Sequence, residues 1–166
     1  GATGSLSSNK NIAIDNIAPT ITTASIEDNG TLSVIADSKI TFTTSEGITS
    51  AKMEVSSKLG DSVSGELTID DATHVSTNLN SPFTSGDELT LTINELTDYA
   101  GNITNGLVYN YNIALISDFN TDGSIDAADV TVLIDGWSNK DYAFELGPTT
   151  GDVPNLKPSL DGKFDI

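Results

Sequence analysis

The sequence predicts a mainly β chain, an antiparallel β-sandwich followed by a small α-helical, loop-rich module. Three observations carry this. Stretches such as "KITFTTSE", "AKMEVSS", "GELTID" and "ELTLTINEL" alternate apolar and polar residues and are rich in Thr, Ile and Val. Period-two alternation in β-branched residues marks strands with one buried face. Clusters such as "EDNGT", "SEG", "KLGDSVSG", "NSPFTSGD" and "TDYAGN" separate these runs, and their Gly, Asn and Asp tolerate the positive φ of tight turns. After Ser117 the text changes to a dense acidic loop and then "DAADVTVLIDGW", in which Val130, Leu133, Ile134 and Trp137 fall at i, i+3, i+4 and i+7 on one helical face.

The alternating runs give about seven strands, a number and spacing that fit a sandwich of immunoglobulin-like type without the Cys pair of antibody domains. A small barrel is the competing all-β arrangement. Residues 1–14 read as the end of a preceding domain or a linker, 15–116 as the sandwich and 117–166 as the second module. The stretch from Ser138 onward holds three of the five prolines and reads as a connector into a second, incomplete acidic loop.

Charge narrows the function. Seven Lys, no Arg and 24 Asp plus Glu give a net charge of -17, which repels nucleic acid and anionic membranes and attracts cations. The chain has no Cys, so disulfides, zinc–thiolate sites and thiol catalysis are excluded. No apolar run approaches the roughly 20 residues that span a bilayer. The opening "GATGSLSSNK" has neither a basic nor an apolar region of a signal peptide; the chain reads as a piece of a longer protein.

The acidic loop "DFNTDGSIDAADV" matches the calcium-binding pattern of an EF-hand, whose ligands come from positions 1, 3, 5, 7, 9 and 12 with Gly at 6. Asp118, Asn120, Asp122, Ser124 (through its carbonyl), Asp126 and Asp129 occupy those positions, Gly123 is at 6, and Ile125 at 8 is expected to pack inward. Asp replaces Glu at position 12. An acidic turn that merely caps a helix is the bland alternative. So many protein oxygens suit Ca2+ better than Mg2+, which keeps its waters. The loop is expected to order on calcium binding, because no site exists beforehand.

An EF-type loop closed by Asp and followed by one helix resembles the first repeat of a dockerin, a module that attaches bacterial proteins to cohesins. The tail "PNLKPSLDGKFDI" is similar to the start of a second repeat. There Asn155 or Lys157 stands at the first ligand position, Ser159 at 3, Asp161 and Gly162 at 5 and 6, the Lys163 carbonyl at 7, Phe164 at 8 and Asp165 at 9. The chain ends before position 12. The resemblance implies that Ala127 and Ala128, at positions 10 and 11, help select a cohesin-type partner.

"IDNIAPTIT" and "LTDYAGNIT" resemble the opening and late signatures of bacterial immunoglobulin-like repeats of surface proteins. That resemblance implies a calcium site between neighbouring domains at Asp15 and Asp98, with Asn16 and Asn102 beside them. Ordinary turn chemistry is the alternative.

Catalysis is not expected. The one His, His74, lies near Asp70 and Asp71, but no G-x-S-x-G elbow and no phosphate-binding glycine loop occurs. Paired carboxylates would need a sugar-binding cleft that neither module is large enough to form. Trp137 is expected in the helix core. The expected function is a non-catalytic, extracellular, calcium-dependent attachment module on a bacterial protein. The alternative is a calcium-stiffened segment of a surface adhesin or S-layer-type protein.

Overall fold

The structure is a computed structural model and describes residues 14–35 and 38–164. Nine strands precede the only helix longer than one turn among the described residues: β1 (Ile21–Ala24), β2 (Gly30–Leu32), β3 (Ser38–Thr44), β4 (Ile48–Ser57), β5 (Leu67–Ile69), β6 (His74–Leu79), β7 (Glu88–Asp98), β8 (Ile103–Thr104) and β9 (Leu107–Ile113). Helix α1 (Ala127–Asn139), a 3-10 turn (Tyr142–Phe144) and two short strands, β10 (Thr149–Thr150) and β11 (Lys157–Pro158), follow.

The strands form two sheets, ordered β1-β3-β6-β5 and β2-β9-β7-β4, with β8 paired to β7. Alternation explains why they face each other. Ile40 and Phe42 of β3 and Val75 and Leu79 of β6 point inward from one sheet; Leu89, Leu91 and Ile93 of β7 and Tyr111 and Ile113 of β9 point inward from the other. Phe42 and Tyr109 meet across the gap with ring centroids 5.0 Å apart. Each such side chain fully removed from water contributes about 1.5–3 kcal/mol. Two separate sheets over one core make this a sandwich rather than a barrel.

One pairing departs from the all-antiparallel expectation. β2 runs parallel to β9, with Gly30 opposite Tyr111 and Leu32 opposite Ile113. The chain leaves the first sheet after β1 and joins the second at β2, so the entering segment borders both sheets. The turn that makes this crossing holds Asn29 at φ 65. It also requires Gly30, where a Cβ would stand 2.6 Å from Ile26 and 2.8 Å from the Glu27 carbonyl.

The C-terminal segment lies on the sandwich. The Ser85 N–H donates to the Leu156 carbonyl at 2.8 Å, the Asn155 side-chain amide to the Ser85 carbonyl at 3.0 Å, and Lys157 pairs with Asp61 at 3.2 Å. Phe119 packs against the sandwich core.

The inward face of α1 is not the one the apolar spacing predicts. Val130, Ile134 and Trp137 are 53, 50 and 55 % exposed, and Ile125 is 57 % exposed. Trp137 is therefore not core. The buried positions of the helix are Asp129 and Gly136, with Val132 and Leu133 half-buried. Gly136 sets this rotation: a Cβ there would lie 2.8 Å from the Phe144 ring, so the helix crosses the 3-10 turn at its glycine. No second helix of an EF-hand pair occurs among the described residues.

Candidate metal centre

The loop from Asp118 to Asp129 is closed by its own carboxylates. Asp118 is buried (4 % exposed). One of its oxygens, Oδ2, accepts the Gly123 N–H at 3.0 Å. Gly123 has φ +87, a left-handed conformation that glycine adopts freely, and this swings its N–H back toward the loop's first residue. The other oxygen, Asp118 Oδ1, is buried with no hydrogen-bond partner among the described residues. A buried carboxylate oxygen without a partner costs several kilocalories per mole unless a proton donor or cation meets it.

Around it the remaining donors follow their loop positions. Asn120 Oδ1 accepts from the Asp122 N–H at 3.0 Å and Asp122 Oδ1 from the Ser124 N–H at 2.8 Å. Asp126 is the N-cap of α1, accepting from the Ala128 N–H at 2.7 Å. Asp129 accepts three N–H groups: Phe119 at 2.8 Å, Asn120 at 3.2 Å and Asp126 at 2.9 Å. The N–H of Asp126 holds the Asp129 carboxyl below the usual carboxylate range against the opposing effect of burial, helped by the other two donors. The short Asp side chain thus ties the beginning of the loop to the start of the helix. Ala127 and Ala128, in the first turn of α1, are exposed. Among the described residues the carboxylates that come within 4.8 Å of one another as a group of three are Asp15, Glu46 and Asp98, not those of this loop; the loop's unmet demand for a positive partner is the Asp118 oxygen.

The proposed second loop is arranged differently. Asn155 places its side-chain amide on the sandwich, as described above. Lys157 lies in β11 and pairs with Asp61. The N–H of Ser159 donates to the Pro148 carbonyl at 2.8 Å. Only positions 5 to 7 repeat the first loop: Asp161 Oδ1 accepts from the Lys163 N–H at 3.0 Å, and Gly162 has φ +75. Asp165 lies outside the described residues. Glu145, which stands in no spaced motif, is fully buried and accepts the N–H groups of Asp161 and Gly162 with its carboxylate.

At the other end of the sandwich, Asp15, Glu46 and Asp98 bring carboxylate oxygens within 4.8 Å of one another. Asp98 is buried and already accepts the N–H groups of Ala100 and Asn102 at 2.8 Å each and the Asn102 side-chain amide at 2.8 Å. Burial pushes the Asp98 carboxyl up, but these bonds outweigh it and leave it low. Burial and then the charges of Asp15 and Asp98 push Glu46 up. Asn102 also donates to the Asp15 carbonyl at 3.3 Å, which ties the entering segment to the β7–β8 turn. Asn16 is exposed. Glu46 lies in the "SEG" turn, and only the sheet topology brings it to the other two.

His74 Nδ1 lies 2.8 Å from Asp71 Oδ1, two residues that the β5–β6 turn brings together. Asp70 faces Lys39 at 3.8 Å.

No family model matches the chain. No curated protein matches it by sequence. Among solved structures it is similar to the N-terminal part of the bacterial S-layer protein SbsC, at 11 % identity and a TM-score of 0.42 over 59 % of this chain and 24 % of that one. It is also similar to the LD transpeptidase LdtMt1 in complex with imipenem, at 8 % identity and 0.43 over 60 % of this chain and 42 % of that one. A third is the SrpA adhesin of Streptococcus sanguinis, at 18 % identity and 0.42 over 60 % of this chain and 58 % of that one. The chain spans less than two thirds of the length of each. At these scores the likenesses carry no argument about function.

Proposed function

We propose that this chain is a non-catalytic, extracellular, calcium-binding attachment module, an immunoglobulin-like sandwich that presents a dockerin-like loop and helix to a cohesin-type partner. The observation that carries it is Asp118: a buried carboxylate with one oxygen unpartnered, at position 1 of a loop whose positions 3, 5, 7, 9 and 12 also carry oxygen donors. Asp118, Asn120, Asp122, the Ser124 carbonyl, Asp126 and Asp129 would hold the ion, which supplies the positive charge that lets four carboxylates share one loop. The sheet orders β1-β3-β6-β5 and β2-β9-β7-β4 support the immunoglobulin-like assignment, since they follow the order of that fold with the first strand split between sheets.

The exposed side of α1 supports a protein partner. Ile125, Val130, Ile134 and Trp137 are each at least half exposed and follow one another up the loop and helix, beside Ala127 and Ala128. A contiguous apolar strip of this kind is a common feature of contact sites. Net charge and the absence, among the described residues, of a helix long and apolar enough to cross a membrane point the reading away from nucleic acid and membrane insertion through helices. Cohesin domains would be used to capture the protein with and without a chelator. Capture that needs calcium and is lost in Ile134→Asp supports attachment; capture that ignores both contradicts it.

A second reading has its own support. The Asn155–Ser85 and Lys157–Asp61 links fasten the C-terminal segment to the sandwich, as expected of a stiffened segment in a string of surface domains. Calcium-dependent stiffening without capture would favour it.

A further inference from the structure

Glu145 does for the second turn what Asp118 does for the first. In the first loop, Asp118 accepts the N–H of the position-6 glycine, Gly123, with one oxygen and leaves the other buried and unpartnered. In the second, Glu145 Oε1 accepts the N–H of the position-6 glycine, Gly162, at 3.1 Å, together with the N–H of Asp161. Its other oxygen, Oε2, is buried with no hydrogen-bond partner among the described residues. The residue is 0 % exposed.

The match extends through the turn. Asp122 Oδ1 accepts the N–H of position 7, Ser124, at 2.8 Å; Asp161 Oδ1 accepts the N–H of position 7, Lys163, at 3.0 Å. Both glycines are left-handed. Lys157 and Ser159, which the linear count puts at positions 1 and 3, are held by β11 and by the Pro148 carbonyl instead.

Glu145 reaches this turn because the 3-10 turn before it delivers it there. The Glu145 N–H donates to the Tyr142 carbonyl at 3.3 Å, and the Tyr142 ring meets that of Phe164, tilted by 32° with centroids 5.5 Å apart. A hollow whose lining includes Tyr142, Ala143, Glu145, Leu160 and Gly162 opens here, with room of about 420 Å³.

We propose that Glu145 supplies the missing position-1 carboxylate of the second loop, completing a discontinuous site for a hard divalent cation, taken as Ca2+ by analogy with the first loop. Glu145 Oε2, Asp161 and the Lys163 carbonyl are its protein ligands, and water from the hollow completes the shell. Asp161 also faces the Lys163 ammonium at 3.7 Å, a contact that the cation would displace or share. A fully buried carboxylate oxygen needs a positive partner or a donor, and hard cations take carboxylate and carbonyl oxygens in this way. The site rests on the reading of the first loop as a calcium loop only for the choice of ion.

The test is a calcium titration of the chelator-treated chain followed by amide NMR, with Gly123 and Gly162 read separately. The expected result is that both amides shift in the wild type. In Glu145→Gln, which keeps an acceptor for the two N–H groups, the Gly162 response should weaken at least tenfold in calcium concentration while Gly123 responds as before. Asp161→Asn should do the same should Glu145→Gln fail to fold, which loss of the dispersed sandwich amides would reveal. A Gly162 amide that ignores calcium in the wild type while Gly123 responds overturns this site and leaves the first loop standing. A Gly162 response unchanged by both substitutions also overturns it. If Gly162 alone responds, this site stands and the first-loop reading falls; if neither responds, both fall.

Discussion

Asp126 and Asp129 cap helix α1 reciprocally: the Asp126 side chain takes a backbone N–H of the first turn, and the Asp129 carboxylate takes the Asp126 N–H at 2.9 Å. The same Asp129 carboxylate holds Phe119 and Asn120 at the other end of the loop. One side chain therefore closes both the helix and the loop.

Asp129→Ala should destabilise the C-terminal segment by about 2 kcal/mol without calcium, since it removes a cap worth about 1 kcal/mol and leaves further N–H groups unpaired. Trp137 is the one tryptophan of the chain and lies on α1, so its fluorescence during urea unfolding reports this segment. An unchanged midpoint would show that Asp129 does not close the loop.

Gly136→Ala should also destabilise, against the usual helical gain of about 1 kcal/mol. Its new Cβ would stand 2.8–2.9 Å from Phe144, so α1 must move off the 3-10 turn. Thermal unfolding followed at Trp137 should give a lower midpoint than the wild type; a higher one would mean that the helix does not pack there.

Acid should loosen the fastening of the tail. Burial works to raise the Asp61 carboxyl, but hydrogen bonds from Thr84 and Lys157 and the Lys157 charge outweigh it and hold it below the usual value. A carboxyl lowered by folding adds stability that is fully present above its unfolded value, about 3.9, and is lost as pH falls through the lower folded value. Urea midpoints should therefore fall in that acid range, and Asp61→Asn should flatten that part of the profile. Equal slopes in both proteins would contradict the role of this pair.

Ile134→Asp should leave the fold and calcium binding unchanged, because the side chain is 50 % exposed. Circular dichroism and unfolding midpoints within about 0.5 kcal/mol of the wild type are expected for such a surface change. A larger loss would place Ile134 in the core after all.

Strands such as β3 and β7 were legible because alternation is local: "SKITFTT" buries every second residue, and the period-two pattern needs no knowledge of the partner strand. β2 was not, since three residues carry no period and their parallel partner comes from the far end of the sandwich. The helix was legible but its orientation was not. Val130, Ile134 and Trp137 fit an inward stripe, yet the close approach of Gly136 to Phe144 and the closing role of Asp129 turn that stripe to solvent. The first loop could be read because its donors are contiguous. Glu46 and Glu145 could not, because each meets its cluster through tertiary folding and neither stands in a spaced motif.

The most direct test is a calorimetric calcium titration of the chelator-treated chain beside its Asp118→Asn variant. Saturable binding in the wild type that weakens at least tenfold in Asp118→Asn is the predicted result. No binding in the wild type, or equal binding at this loop in both proteins, would contradict the calcium-loop account.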